Sequence, residues 1–411
     1  MTPGPVGAGP APVPASATQH FVRARDGVRL ATDVYLPSAD GPVPAILVRL
    51  PYDKNSRYVF MDVVARRATA AGYALVVQGV RGKYRSEGSP TGPVNEARDG
   101  WDTLEWHSRA EWCDGRVGMF GDSYYGFTQW TAVSSGHPAL KAIVPRVTSM
   151  RLPLFDLTER EGVRDIPWMT FATYMMQCWT DDRVNEQTVD LTVRPLTKAF
   201  DAGFEELGAR SAWFDTMIPR VIPLPVYPDG HPIQARAIPT LHCVGWYDNV
   251  LTPSMRDYRE LCEDASWGPL QYLWADSTDH ENYHLSEAGT PAIVDHDEDD
   301  DALARLMEIY ISPALRFFDV FVKGAGEARG HPPRAVAPRT CRLSRGRAMA
   351  PRGQHHPLAL PARSGGRLLG GRRASGRAAA GGEERHVDIR ARRAHPVRGG
   401  ELLGVPLRVS G

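Results

Sequence analysis

An α/β fold with a mainly parallel sheet is what this sequence predicts, on three observations. Short apolar runs alternate with helix-like stretches from Ala45 to Pro145. One of those runs enters the turn Gly121-Asp-Ser-Tyr-Tyr-Gly126, which opens onto a helical stretch. The strand rhythm then resumes at Pro239, after an interruption rich in aromatic residues and Met. Strands that alternate with helices lie parallel, because each crossover helix returns the chain to the same end of the sheet.

Phe21–Ala24 and Val28–Leu36 alternate apolar and polar residues around Asp26-Gly27, the pattern of a β-hairpin with its turn chemistry in place. Ala45–Leu50, Tyr73–Val77, Val117–Phe120 and Leu140–Pro145 read as strands; Val59–Ala71, Asn95–Ser108 and Tyr124–Ser135 read as the helices between them. Residues 151–236, poor in β-type runs and broken by prolines near Ile222–Pro232, read as a mostly helical insertion capping the sheet. Strands return at Pro239–Trp246 and Leu270–Trp274, with a helix over Pro253–Asp264 between them. A last helix is expected from Asp301 to about Val322, entered through the acidic run Asp295–Asp301, where carboxylates favour the helix dipole. The catalytic domain is thus expected over 19–150 and 237–327, with the cap between the two parts.

The 411-residue chain is 42% hydrophobic, ample for a sizeable core, and its formal net charge is zero. That zero hides an asymmetry. After Glu327 the chain holds 18 Arg, no Lys and four acids, so an excess of acid lies before it. Residues 328–411 also contain no Phe, Trp or Tyr, and segments of that composition bury too little apolar area to offset the entropy of ordering. A disordered tail is expected there. Its Arg, Gly, Ala and Pro are also what a GC-rich gene gives in a shifted reading frame: moving His386–Ile389 by one base permits Thr-Trp-Thr-Tyr. A nucleic-acid arm is disfavoured, because the Arg residues lack interleaved aromatics or a recognition fold.

Residues 1–18, rich in Pro, Ala and Gly without a basic start or an apolar stretch, read as a disordered leader and not as a signal peptide. No apolar run approaches the ~18 residues of a membrane span. Five scattered cysteines without a CxxC pair argue against a disulfide framework or a structural zinc site, and read as buried free thiols. A cytoplasmic protein, with no membrane partner, is the expectation.

The chemistry is carried by Ser123. An apolar strand reaches Gly121, the chain turns at Ser123 and a helix follows, which is the nucleophile elbow of the α/β-hydrolase fold. The second glycine of G-x-S-x-G is displaced by one position, to Gly126. A nucleophilic serine needs a base steadied by a carboxylate, and in this fold the acid and then the histidine follow later strands. Asp248 ends one such strand, and His280 follows the next, with His284 four residues on as the other candidate base. The oxyanion donors expected are the backbone N–H of Tyr124 and, after the strand Ala45–Leu50, the Tyr52 hydroxyl or a neighbouring backbone N–H.

At these residues the chain resembles the cocaine-esterase and X-prolyl dipeptidyl-peptidase family of serine hydrolases. The stretches that carry the resemblance are Arg49-Leu-Pro-Tyr-Asp-Lys54, Gln78-Gly-Val-Arg-Gly-Lys-Tyr-Arg-Ser-Glu-Gly88 and Asp99-Gly-Trp-Asp-Thr-Leu-Glu-Trp106. Trp112–Gly118, Gly121–Gly126 and Gly245-Trp-Tyr-Asp248 match as well. The resemblance implies Ser123 as nucleophile, Asp248 as acid, Tyr52 as the side-chain oxyanion donor and a helical cap over 151–236. Three departures stand out. Gly79 occupies a place where the family commonly has Asp, His280 follows Asp276-Ser-Thr-Asp279 in place of a Pro-Trp turn, and residues 328–411 cannot form the family's C-terminal jelly roll.

The expected activity is hydrolysis of an ester or amide in a small molecule or short peptide, through a Ser-His-Asp triad and an acyl-enzyme, with no metal or organic cofactor. Trp168, Phe171, Tyr174, Trp179 and Trp213 of the cap are expected to give an apolar substrate wall or core packing. The alternatives are an X-prolyl dipeptidyl peptidase, which needs carboxylates such as Asp156, Glu159 or Glu161 near a substrate amine, and a non-catalytic truncated chain.

Overall fold

A computed structural model describes residues 9–152, 166–180, 182, 189–190, 192–218, 222, 224–276, 278–280 and 300–325. The chain divides into two units, residues 1–345 and 346–411, and every described residue belongs to the first. The expected tail and the acids Asp156, Glu159 and Glu161 lie outside the described residues.

Eight strands form one sheet: β1 (Thr18–Arg23), β2 (Arg29–Tyr35), β3 (Val43–Leu50), β4 (Ala74–Gly79), β5 (Cys113–Asp122), β6 (Leu140–Arg146), β7 (Thr240–Gly245) and β8 (Gln271–Asp276). Their spatial order is β1-β2-β4-β3-β5-β6-β7-β8. The hairpin β1–β2 adds antiparallel to β4, and all pairs from β4 to β8 are parallel. Gly27, at φ +92, makes the expected hairpin turn.

The helices are α1 (Met61–Ala70), α2 (Glu96–Ser108), α3 (Ser123–Ser135), α4 (Ile166–Cys178), α5 (Leu196–Leu207), α6 (Ala212–Met217), α7 (Leu251–Glu263), α8 (Asp300–Tyr310) and α9 (Ser312–Phe321). One face of the sheet is covered by α1, α8 and α9, in a core that joins Val48, Leu75, Phe120 and Val144 to Val64, Tyr310 and Phe318. The opposite face meets α2, α3 and α7, where Leu47, Val76 and Met119 pack with Leu104, Trp130 and Leu261. The parallel strands are accordingly apolar on both faces, as burial on both sides requires. A third apolar cluster joins α4, α5 and α6 to Val80, Tyr124 and Phe127, so the insertion between β6 and β7 carries three helices among its described residues and seats on the sheet domain. This is the α/β-hydrolase fold with a helical cap.

Three expectations are corrected. Residues 9–18, part of the expected leader, are held where described: the Ala11 N–H donates to Asp53 Oδ2 at 2.6 Å, Arg85 donates to the Ala11 carbonyl at 2.9 Å, and Thr18 opens β1. The last helix is two helices, because Pro313 brings no N–H and cannot continue α8. Cys113, Cys178 and Cys243 are free, but Cys262 is disulfide-bonded. No helix among the described residues is long and apolar enough to cross a membrane.

Strand order reverses its direction of growth at β3: the chain passes from β3 to β4 on one side, then by α2 to β5 on the other. A crevice forms at the carboxyl ends of strands where such a reversal occurs. Tyr52 follows β3 and Ser123 follows β5, so both stand at that crevice.

Candidate active site

β5 ends at Asp122 and α3 begins at Ser123, whose φ of +47° lies in the left-handed region. For a residue with a side chain that conformation costs about 1–3 kcal/mol, and it persists only where surrounding contacts impose it. Thr148 Oγ1 donates to the Ser123 carbonyl at 2.7 Å. Asp122 accepts from Arg146 Nε at 2.9 Å, both side chains being buried. The hydroxyls of Tyr125 and Tyr310 lie 3.2 Å apart, and the Arg146 guanidinium stacks 4.7 Å over the Tyr310 ring. The displaced glycine has a clear cause: a Cβ on Gly126 would meet Thr148 Cγ2 at 2.5 Å and the Gly121 carbonyl oxygen at 3.0 Å.

Asp248 lies three residues beyond β7 with its side chain fully buried. Its Oδ1 accepts from the Val250 N–H at 3.1 Å and faces His280 Nδ1 at 2.8 Å. His280 Nε2 lies 2.9 Å from Ser123 Oγ. A carboxylate can only accept, so Nδ1 carries the proton and Nε2 presents its lone pair to the serine hydroxyl. Two backbone bonds hold the segments bearing acid and imidazole together: Trp246 N–H to the Asp276 carbonyl at 2.9 Å, and Tyr247 N–H to the Thr278 carbonyl at 3.1 Å. The approach is so close that a Cβ on Gly245 would fall 2.3 Å from Thr278 O. Ser123, His280 and Asp248 are thus brought together; His284 lies outside the described residues.

The Tyr124 N–H belongs to the first turn of α3, where backbone donors have no intrahelical acceptor. The Tyr52 ring meets Tyr125 edge-on at 6.2 Å, which sets Tyr52 beside the start of α3. Beneath Tyr124 runs a buried polar network. Its hydroxyl donates to Glu96 Oε1 at 3.0 Å; Glu96 pairs with Arg49 at 2.9 Å, and Arg49 Nε donates to Gln78 at 2.8 Å. Burial pushes the Glu96 carboxyl above the usual carboxylate range, although Arg49 acts against it. At Gly79, one of the three departures, Ser86 Oγ donates to the Gly79 carbonyl at 2.8 Å and accepts from the Ala31 N–H at 2.9 Å.

Among the expected wall residues, Trp179 and Trp213 are each 1% exposed and pack on one another and on Tyr124. They form the seam between cap and sheet domain. The side chains of Trp168 and Phe171 lie outside the described residues. Sequence reasoning did not single out Thr148, Arg146, Glu96 or Tyr310 as supports of the site. The available signal was their place: Arg146 ends β6 and Thr148 lies two residues beyond it, where a buried cation or hydroxyl needs a partner.

The fold and this constellation define the class of α/β-hydrolases with a serine at the elbow. The sequence profile described as X-Pro dipeptidyl-peptidase (S15 family) matches residues 26–282, and the chain belongs to that family, which the sequence resemblance anticipated. It is 34% identical over 280 residues to the cocaine esterase of Rhodococcus sp. (strain MB1 Bresler), a match covering 64% of this chain and 49% of that protein. The chain therefore spans about half the length of that relative. Two solved structures share the fold. An aminopeptidase from the marine sediment archaeon Thaumarchaeota archaeon gives a TM-score of 0.57 at 20% identity, over 79% of this chain and 58% of that one. An α-amino-acid ester hydrolase gives 0.54 at 23% identity, over 80% of this chain and 58% of that one.

Proposed function

We propose that this protein is a serine hydrolase that cleaves an ester bond in a small molecule through an acyl-enzyme. The observation that carries the reading is the unbroken line from Asp248 through His280 to Ser123, at 2.8 Å and 2.9 Å. His280 Nε2 takes the Ser123 proton as Oγ bonds to the carbonyl carbon, and the carbonyl electron pair moves onto oxygen. The Tyr52 hydroxyl and the Tyr124 N–H receive that oxyanion. Collapse re-forms the carbonyl and expels the leaving oxygen, which takes the proton from His280. Water then enters, gives its proton to the same nitrogen and releases the acid, leaving Ser123 protonated. Asp248 holds the tautomer and balances the imidazolium charge throughout.

Cleavage of an ester is favoured by the likeness to cocaine esterase. Cleavage after an Xaa-Pro pair is the second reading, favoured by the family profile. A fluorophosphonate probe labels the wild-type protein and fails to label Ser123→Ala if the reading holds. Absence of labelling in the pure, folded wild type sinks it. Turnover of an aryl ester against an Xaa-Pro anilide separates the two substrate classes.

A further inference from the structure

The mechanism asks Tyr52 for one hydrogen bond and gives no part to a second hydroxyl beside it. Tyr174 Oη lies 3.5 Å from Tyr52 Oη, on α4 of the cap. Helix α4 is tied to the sheet domain one turn further on. Lys83, 2% exposed and in the loop after β4, donates from Nζ to the Cys178 carbonyl at 2.7 Å and pairs with Asp182 at 3.2 Å. The Tyr174 ring also meets Trp213 edge-on at 6.5 Å. Burial pushes the Tyr174 phenol well above its usual range.

We propose that Tyr174 is a positioning residue for Tyr52: its hydroxyl accepts a hydrogen bond from Tyr52 before substrate binds, then donates one to Tyr52 once the Tyr52 O–H has turned to the oxyanion. This inference rests on the reading of Tyr52 as oxyanion donor. A phenol oxygen both donates and accepts. When Tyr52 donates to a negatively charged oxygen, its own oxygen becomes a better acceptor, and a second hydroxyl behind it strengthens the bond in front. The 3.5 Å separation is long for an O–H···O bond, so turning the Tyr52 O–H away from Tyr174 costs little, and catalytic hydrogen bonds that are long in a free enzyme often tighten once substrate is bound. The gain then falls on the chemical step and not on substrate binding. No proton is transferred in the relay; two hydroxyls rotate.

The test is a double-mutant cycle on aryl-ester turnover, with thermal unfolding as the check on folding. Tyr52→Phe is expected to lower kcat about 10²–10³-fold. Tyr174→Phe is expected to lower kcat about tenfold with KM nearly unchanged, and to cost nothing further in the Tyr52→Phe background. A merely structural Tyr174 would cost the same factor in both backgrounds, and that result overturns the inference. Unchanged kcat in Tyr174→Phe overturns it too. Tyr174→Met enters the same cycle should the Phe variant not fold. If Tyr52→Phe matches a fully active wild type, the inference falls while the hydrolase stands; if wild-type Ser123 is neither labelled nor active, both fall.

Discussion

Ser123 adopts a backbone conformation that serine disfavours, and its hydroxyl gains from it a line of approach to His280 Nε2 at 2.9 Å. Asp248 uses a single oxygen, Oδ1, for both the imidazole and the Val250 N–H. Asp248→Asn is therefore expected to flip the imidazole tautomer and lower kcat about 10⁴-fold while KM changes little, read by steady-state ester hydrolysis. The positions of Ser123, Asp248 and His280 were legible because each follows a strand, and strand ends are marked by apolar runs and turn residues. Thr148 and Glu96 were not, and Tyr174 was read only as one of the cap's wall aromatics, not for its hydroxyl. They act through neighbours 25, 28 and 122 residues away, and local patterning carries no record of such pairs.

At the scale of elements, β7 and β8 do more than pair. Their extensions clasp one another, and Gly245 is the point of closest approach, with room only for hydrogen against Thr278 O. Gly245→Ala must displace the segment that carries His280. A shift of about 1 Å costs roughly 10²-fold in rate, and the overpacked contact costs about 1–3 kcal/mol of stability. The expected outcome is a large fall in kcat with a modest fall in the urea midpoint; unchanged kcat would show that the clasp does not aim the imidazole. The strands and helices of the sheet domain were readable from apolar periodicity. The break between α8 and α9 was missed because the apolar positions run on in helical spacing through Ile311, and only Pro313 marks the interruption. The seam of Trp179 and Trp213 was ambiguous for a different reason. Aromatic enrichment serves a wall and a core equally, and only burial decides.

For the molecule as a whole, two buried histidines are expected to weaken the fold toward acid pH. His242, in β7 and facing Gln271 at 2.9 Å, is lowered to about 4 by desolvation, and His107, in α2, to about 3 for the same reason. Both stay neutral in the folded protein, whereas in the unfolded chain they protonate near 6.5. Between about pH 6.5 and pH 4 the unfolded state thus binds more protons, so stability falls as pH falls, by on the order of 3–5 kcal/mol for each group once both pKa values have been passed. His242→Gln is expected to flatten part of this slope when urea midpoints are followed from pH 7 to pH 4. An undiminished slope would assign the acid limit elsewhere. The hydroxyl of Tyr310, at the end of α8, rests against Tyr125 across 185 residues of chain. A ribosome that has just released the serine turn has yet to make the prop behind it. The support behind the serine turn is therefore complete only after α8 has been made and docked.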